Sequence, residues 1–291
     1  MIIDPKEVAT AKLHGYMLSA IAPRPIAFAS TIDAEGNANL APYSFFNAFG
    51  SNPATLVFSP ARRVRDNTIK HTLENVRQCG EVVINVVDYK MVQQMSLASC
   101  EYPAGTSEFV KAGFTPIASE KIKPFRVAES PVQFECKVKD IIETGMEGGA
   151  GNLIVCEIVL MHINDQVLGE DGRIDANKID LVARMGGDWY CRASGDALFT
   201  IPKPNEKCGI GFDQLPIEVR TSRYLTGNDL GQLANVERIP EADSAKIESL
   251  VLSLSNQYPK ESLGSHLHQL AHELLENNRV EDAWQVLQFK F

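Results

Sequence analysis

Four positively charged side chains lie within nine residues of a chain that is acidic overall. The four are Arg62, Arg63, Arg65 and Lys70. The stretch runs directly into a helical pattern, for which Asp66 or Asn67 is a suitable N-cap residue. Cationic side chains beside the free N–H groups of a helix N-terminus are typical of a site that binds phosphate. The alternative interpretation of these residues is a solvated beginning of a helix.

A second stretch, NLAPYSFFNAFG from Asn39, combines aromatic and small polar side chains. Three phenylalanines fall within five positions, at Phe45, Phe46 and Phe49. They surround Ser44 and Asn47, and the hydroxyls of Ser30 and Thr31 precede them in the chain. A large flat ring needs aromatic contact on its face, and short polar side chains or backbone amides at its edge. The two stretches together predict a planar ligand that carries a phosphate, and ordinary core packing of the phenylalanines is the alternative.

Six segments have the composition of β-strands and would position these side chains. They are residues 25–32, 38–44, 55–59, 81–87, 131–142 and 152–163. In the fifth segment Val132, Phe134, Cys136 and Val138 alternate with polar residues and share one face. The connections are short and rich in glycine and proline, which favours a mainly antiparallel barrel over a parallel sheet. Helical patterns occupy residues 67–77 and 90–98.

The sequence changes character after Pro202. A segment rich in proline, glycine and polar residues, IPKPNEKCGIGFDQLP, reads as a linker. Helical patterns follow at residues 241–257 and 265–288. We therefore predict a β-rich domain over residues 1–203, and a linker with a helical C-terminal extension over residues 204–291.

Composition narrows the classes of function. The chain has 291 residues, is 44% hydrophobic and carries a formal net charge of −9 at pH 7. This charge argues against non-specific binding to nucleic acid or to an anionic membrane surface. No apolar run reaches membrane-spanning length and no signal peptide is apparent, so a cytoplasmic location is expected.

Other common sites find no support in the sequence. The six cysteines are scattered without a CxxC pair, and we interpret Cys136 and Cys156 as buried core residues. His268 and His272 have i, i+4 spacing but no evident third ligand, so no metal site is predicted. Neither GxGxxG nor GxxxxGK[ST] occurs, which excludes the usual dinucleotide and P-loop signatures.

The segments APRPIAFASTIDAEGNANLAPYSFFNAFGSNPATLVFSP, from Ala22, and KHTLENVRQCGEVVINV, from Lys70, carry several motifs in a fixed order. They resemble the flavin reductase-like family, FMN-binding split β-barrel proteins of the nitrilotriacetate monooxygenase component B type. The resemblance covers about residues 2–202. It implies a mainly β fold with flanking helices, a six-stranded antiparallel Greek-key split barrel. It also implies a homodimer that holds FMN non-covalently near the subunit interface.

The resemblance further implies which residues hold the cofactor. Ser30 and Thr31 stand where the family contacts the flavin. The residues implied to line the ring are Asn39, Ala41, Pro42, Ser44, Phe45 and Asn47. Those implied to hold the phosphate are Ser59, Arg63, Lys70 and Thr72.

The resemblance also concerns two histidines and one later segment. His71 replaces an acidic residue of the family motif, and we interpret it as an exposed helix histidine. By the resemblance, His162 is a candidate catalytic residue near the approaching nicotinamide, and a satisfied histidine at a strand end is the alternative. The segment ARMGGDWYCR resembles a family element from which Arg184 or Tyr190 could reach the cofactor, and a plain tight turn is the alternative.

The implied activity is hydride transfer from NAD(P)H, as co-substrate, to bound FMN, which then reduces a small molecule or an electron-acceptor protein. One alternative is an electron-carrying flavoprotein that a protein partner reduces. Others are an FMN-dependent oxidase of a small molecule and a non-catalytic protein whose helical extension is the functional part. The sequence leaves open the choice between NADH and NADPH, the final acceptor, a monooxygenase partner and the role of the extension.

Overall fold

The computed structural model describes residues 1–103, 105–204 and 207–289. The chain divides into two compact units, Met1–Phe199 and Thr200–Phe291. Of the linker that the sequence predicts, Asn205 and Glu206 lie outside the described residues.

The first unit is built on one antiparallel sheet, in which seven strands are described. These strands are β1 (Ala27–Ile32), β2 (Ala38–Tyr43), β3 (Phe46–Ser51), β4 (Ala54–Phe58), β5 (Glu81–Asn85), β8 (Val132–Glu143) and β9 (Asn152–Ile163). Their spatial order is β2-β1-β5-β8-β9-β4-β3, so β2 and β3 form the two edges. Two small hairpins accompany the sheet. They pair β6 (Pro116–Ile117) with β7 (Arg126–Val127), and β10 (Leu181–Arg184) with β11 (Tyr190–Ala193).

The sheet has seven strands and not the six that the resemblance implied, because β3 is additional to the six predicted segments. The sequence suggests only a loop there, since β3 lacks the alternation of a half-buried strand. Its residues are largely exposed, and it pairs with one neighbour, β4, through a hairpin whose turn holds Asn52 and Pro53. An edge strand with both faces exposed needs no apolar pattern.

Five helices of the first unit flank the sheet in the described ranges. They are α1 (Thr10–Ala20), α2 (His71–Cys79), α3 (Val92–Leu97), α4 (Glu108–Ala112) and α5 (Ala176–Ile179). Strand β1 is buried on both faces, and successive residues enter different clusters. Phe28 packs in a cluster with Met95 and Phe109, whereas Ala29 belongs to a cluster with Leu73 and Val76. The predicted burial of Cys136 and Cys156 is confirmed, since both side chains are fully buried.

The second unit is helical and has its own core. Its helices are α6 (Ile217–Arg220), α7 (Gly227–Ala234), α8 (Ser244–Gln257), α9 (Lys260–Glu276) and α10 (Val280–Leu287). Trp284 is fully buried in this core, and its Nε1–H donates to the Leu233 carbonyl oxygen at 3.2 Å. The helical pattern at residues 265–288 is two helices, because the chain turns at Asn278, whose φ is +58°. Among the described residues, none of the helices is both long and apolar enough to cross a bilayer.

Candidate functional site

A cavity of about 270 Å³ opens in the first unit beside the edge strand β2. Its wall combines β2, the segment after β4, the beginning of α2 and the segment after α3. Of the twelve residues predicted to bind the cofactor, nine line it: Asn39, Ala41, Pro42, Ser44, Phe45, Ser59, Arg63, Lys70 and Thr72. Residues separated by more than thirty positions therefore meet in one place.

One part of the wall is cationic. Arg63 is fixed by its Nη1, which donates to Thr68 Oγ1 at 2.9 Å and to the Ile69 carbonyl oxygen at 2.6 Å. The Lys70 ammonium lines the same cavity, and its pKa is lowered by burial and by the positive charge of Arg63. Two cations held close together without full solvation favour an anionic ligand between them.

Helix α2 directs its N-terminal end at this cationic wall. Lys70 is the N-cap residue, and no side chain caps the helix. The predicted caps are therefore wrong. Asn67 adopts a left-handed conformation with φ of +57° before the helix, and Asp66 accepts the Thr68 N–H at 3.0 Å. The first N–H groups of a helix lack intrahelical acceptors, so an uncapped N-terminus beside cations suits a phosphate.

A hydrogen-bond network behind the wall fixes its polar side chains. Asn39 Nδ2 donates to Thr72 Oγ1 at 2.9 Å and to Thr31 Oγ1 at 3.2 Å. Thr72 Oγ1 also meets the Tyr43 hydroxyl at 2.8 Å, and Thr31 Oγ1 accepts from Asn75 Nδ2 at 3.0 Å. Thr31 is thus a buried support for Asn39 and does not itself line the cavity.

Ser59 connects the cavity to the sheet. Its N–H donates to the Phe45 carbonyl oxygen at 2.9 Å, and its Oγ accepts the Asn152 N–H at 2.9 Å. The side chain is buried except towards the cavity that it lines. Because a hydroxyl group has one donor and that donor is not used by Asn152, Ser59 can donate to a ligand oxygen.

Besides Thr31, three predicted site residues do not line the cavity. Ser30 is fully buried, and its Oγ has no hydrogen-bond partner among the described residues. Asn47 is exposed on β3, where its Oδ1 accepts the Ala48 N–H at 2.8 Å. His162 lies on β9, and its Nε2 is 2.7 Å from Glu135 Oε1. The predicted catalytic role of His162 therefore has no support from its position.

The partner of His162 is a fully buried carboxylate. Burial acts to raise the pKa of Glu135, but hydrogen bonds from the Glu120 N–H, from His162 and from the Lys121 N–H together lower it below its usual range. An imidazole that satisfies a buried carboxylate stabilises the fold at that place. This contact agrees with the alternative interpretation, in which His162 is a histidine near a strand end whose hydrogen-bonding group has a partner.

The RMGG segment supports α1 and does not reach the cavity itself. Buried Arg24 donates to the Leu18 carbonyl oxygen, to the Ile21 carbonyl oxygen at 2.6 Å and to the Met185 carbonyl oxygen at 2.8 Å. Arg184 stacks on the Tyr190 ring, 4.6 Å from its centroid. This arrangement ties the β10–β11 hairpin to the end of α1, which contributes to the cavity wall.

The sequence analysis did not assign several residues of the wall. The helix α1, which supplies His14 and Leu18, buries none of its residues and so lacks the apolar stripe that identifies a helix. His71 is half-buried and lines the cavity, so its interpretation as an exposed histidine is wrong. The remaining unassigned wall residues are Tyr43, Ala61, Ala98, Ser99, Cys100, Glu101, Tyr102 and Glu108. No local pattern distinguishes these residues from ordinary surface or core positions.

Metal binding is not indicated by the described part of the chain. No group of three histidine, cysteine, aspartate or glutamate side chains there converges on one point. His268 Nδ1 lies 2.8 Å from Ser222 Oγ, and His272 Nδ1 lies 2.9 Å from Asp229 Oδ2. These two histidines are therefore engaged separately.

Comparison with known proteins gives consistent matches to the first unit. Residues 18–178 match the model of the flavin reductase like domain. An uncharacterised protein of Aquifex aeolicus is 35% identical over 191 residues, which are 66% of this chain and 95% of the relative. The matched domain lies wholly within the first unit, and the second unit lies outside it.

Two solved structures are similar in both sequence and fold. Nitrilotriacetate monooxygenase component B from Bacillus cereus is 28% identical with a TM-score of 0.64, and the match covers 69% of this chain and 98% of that one. The 2-nitrobenzoate 2-nitroreductase of Pseudomonas fluorescens is 27% identical with a TM-score of 0.61, covering 69% and 96%. The relatives are thus shorter than this chain by about the length of the second unit.

Proposed function

Because this chain belongs to the flavin reductase-like family, we propose that it binds FMN and catalyses hydride transfer from NAD(P)H to it. The observation that carries the proposal is the meeting of cations, an uncapped helix N-terminus and an aromatic side chain in one cavity. The phosphate, the polar ring edge and the flat face of FMN each find suitable groups there. The two solved structures with 27–28% identity are named as redox proteins, which supports the same class.

The chemistry of the cationic wall fits a phosphate. Arg63 Nε and Arg65 Nη2 already hold the two oxygens of one carboxylate, that of Glu101, at 2.9 and 2.7 Å. Guanidinium groups that hold a carboxylate in this way suit a phosphate oxygen pair equally well. The cationic side chains of the wall are therefore suited to bind the phosphate of FMN.

Each part of the wall has a separate task in this proposal. Arg63 and Lys70 neutralise the phosphate, and the hydroxyls of Ser59 and Thr72 donate to its oxygens. Phe45 supplies apolar contact for the ring, and the backbone of the edge strand β2 offers N–H and C=O groups to the ring edge. Bound FMN supplies the hydride chemistry, and the protein supplies position, charge and exclusion of water.

We also propose that two copies of the chain complete the site. A volume of about 270 Å³ lies near the lower end of the range for small-molecule pockets. The edge strand β3, which follows Phe45 of the cavity wall in the chain, carries Phe49, and this residue is 68% exposed. A second subunit would cover this apolar side chain and enlarge the wall of the cavity. Light scattering with and without FMN tests this, and a monomer in both conditions contradicts it.

The proposed function is tested by reconstitution and anaerobic titration. Purified protein incubated with FMN should retain the yellow cofactor, and NADH or NADPH should bleach its absorbance in stopped-flow mixing. Bleaching by a protein partner alone would instead favour the electron carrier. Protein that stays colourless, or that is bleached by neither route, contradicts the proposal.

A double variant tests the phosphate site directly. Arg63→Ala with Lys70→Ala should weaken FMN binding about 10²- to 10⁴-fold, because each of the two charged hydrogen bonds contributes about 1.5–3 kcal/mol. The matched control is Arg77→Ala with Lys139→Ala, which removes one arginine and one lysine that pair with Glu143 and Glu157 outside the cavity. If the unfolding free energy without FMN falls in proportion to the affinity, the two cations are structural.

A further inference from the structure

The cavity wall contains a buried acid that the proposed function leaves unused. Glu108 begins α4, and only 6% of the residue is exposed. Its carboxyl lines the same cavity as Arg63 and Lys70. Its Oε2 accepts the Leu40 N–H from the edge strand β2 at 2.9 Å. The Leu40 N–H therefore engages one of the two carboxyl oxygens.

The surroundings of Glu108 favour its neutral form. Burial raises its pKa, and this effect exceeds the opposing hydrogen bonds from the N–H groups of Leu40 and of Glu108 itself and the charge of His71. The titratable groups around it include His71 on α2, Tyr43 on β2, Tyr102 in the preceding loop and Lys111 on α4. The charged side chains of Arg63, Lys70 and Glu101 line the same cavity. Helix α3, which also packs against α4, has no titratable side chain. Burial is the main cause that raises the pKa of both Tyr43 and Tyr102, so the two side chains are neutral phenols at neutral pH.

A second titratable side chain, that of His71, shares the cavity wall with this acid. It lines the cavity with Glu108, it is half-buried, and its charge interacts with that of Glu108. Histidine changes its protonation state near neutral pH, which suits a group that passes protons between water and a buried carboxyl.

We propose that Glu108 is the proton donor of the cavity and that His71 reprotonates it from solvent. The proposal deepens the proposed function and rests on it, since hydride transfer into the cavity creates the need for a proton. It also indicates the class of final acceptor: small molecules whose two-electron reduction consumes a proton.

The proton from Glu108 compensates the negative charge that a hydride brings into the cavity. A hydride from NAD(P)H brings one hydrogen and two electrons to the molecule that is reduced in the cavity, which thereby gains one negative charge. The O–H bond at Glu108 Oε1 breaks, and its proton forms an N–H or O–H bond where that charge resides. Glu108 is left as a carboxylate, takes a proton from the His71 imidazolium, and His71 takes one from water.

A purely structural role for Glu108 is the rival explanation. Its carboxyl would then serve only to satisfy the Leu40 N–H on an edge strand. Glu108→Gln separates the two roles, because the amide oxygen can still accept that N–H but the side chain cannot donate a proton as an acid. The matched control is Glu129→Gln. Glu129 accepts the Thr115 N–H at 3.0 Å but is exposed and outside the cavity.

The first measurement needs no cofactor. Infrared titration of the full-length protein follows the C=O stretch of protonated carboxyl groups. Because the pKa of Glu108 is raised, we expect a component of this band that persists above pH 4.5 and that is absent in Glu108→Gln but present in Glu129→Gln. A Glu108 carboxyl that titrates at or below the usual value overturns the proposal.

The second measurement compares binding with turnover. Glu108→Gln should bind FMN within about threefold of wild type, yet reduce the final acceptor about 10²-fold more slowly and without the ionisation seen in the wild-type pH profile. His71→Gln should be slowed less, and added imidazole buffer should restore its rate. A variant with an unchanged rate and pH profile, or with FMN affinity and stability lost in parallel with rate, overturns the proposal. Wild-type protein that fails to bind FMN overturns the proposed function instead.

Discussion

Arg63 and Glu101 form an ion pair in the cavity wall, with Arg63 Nε 2.9 Å from Glu101 Oε1. Arg65 holds the second carboxylate oxygen at 2.7 Å, and Lys70 Nζ lies 4.0 Å from the first. Hydrogen bonds from Arg65 and Arg63 lower the pKa of Glu101, so it is a carboxylate at neutral pH. Glu101 therefore offsets part of the positive charge of the wall, and a ligand phosphate must compete with this carboxylate.

Removing the competing charge should strengthen binding of a phosphate. We expect Glu101→Gln to raise FMN affinity about two- to fivefold, since exposed ion pairs contribute up to about 1 kcal/mol. Calorimetric titration measures the change, and riboflavin, which lacks the phosphate, is the matched ligand. Riboflavin affinity should stay constant. Weaker FMN binding in the variant would mean that Glu101 helps to orient the arginines.

Gly186 is needed for the close approach of the β10–β11 hairpin to α1. A Cβ there would lie 3.0 Å from the Cβ and 3.1 Å from the Cα of Ser19, and still closer to its Oγ. We expect Gly186→Ala to reduce the free energy of unfolding by about 1–3 kcal/mol, because one side has to shift. FMN affinity should also fall, since α1 contributes His14 and Leu18 to the cavity.

A double-mutant cycle with Ser19→Gly provides the control for this clash. Ser19→Gly removes the Oγ and Cβ that the new methyl group meets, at the usual cost of about 0.5–1 kcal/mol for glycine in a helix. Urea unfolding should show that Gly186→Ala is less destabilising in that background. Strictly additive effects would mean that the two residues do not collide.

Truncation should leave the first unit intact. Its apolar clusters consist only of residues before position 200, and the core around Trp284 consists only of later residues. We therefore expect a chain of residues 1–199 to unfold cooperatively and to bind FMN within about threefold of the full chain. Circular dichroism and FMN fluorescence measure the two properties. Loss of FMN binding in a folded truncated protein would assign the second unit to the site.

The His272–Asp229 contact should make the second unit sensitive to pH. The hydrogen bond with Asp229 raises the pKa of His272 above its usual 6.5. The contribution of the His272–Asp229 contact to the free energy of unfolding is therefore fully present below pH 6.5. It is lost as the pH rises through the higher pKa that His272 has in the folded state. Burial lowers the pKa of His268, so the contribution of His268 to stability increases as the pH rises.

The difference between wild type and His272→Gln isolates the contribution of His272. This difference in the free energy of unfolding should shrink as the pH is raised from 6 to 8. Fluorescence of Trp284 reports on the second unit, and Trp189→Phe removes the only other tryptophan of the sequence. A difference that stays constant or grows with pH contradicts the assigned contact.

Regular patterns in the sequence predict most of the sheet. The six predicted strands are present within a few residues, because each is covered on at least one face and so needs apolar side chains at fixed intervals. Strand β3 and helix α1 escape such prediction because neither buries a regular apolar face. The two helices of residues 265–288 appear as one pattern, since a single left-handed residue, Asn278, separates them.

The sequence by itself determined the ingredients of the site: a cluster of cations before a helix, a stretch of aromatic and small polar residues, and the family resemblance that connects them. Only the tertiary structure decided which of these residues meet. In the structure, nine of the predicted residues line one cavity. Thr31 lies behind the wall and accepts a hydrogen bond from Asn39, and His162 contacts the buried carboxylate of Glu135 outside the cavity. The tertiary structure also brought Glu101 and Glu108 to the wall, because a loop and a short helix far along the chain pack against β2. Local patterns record burial and periodicity, whereas contacts between distant segments depend on how the whole sheet is paired and covered.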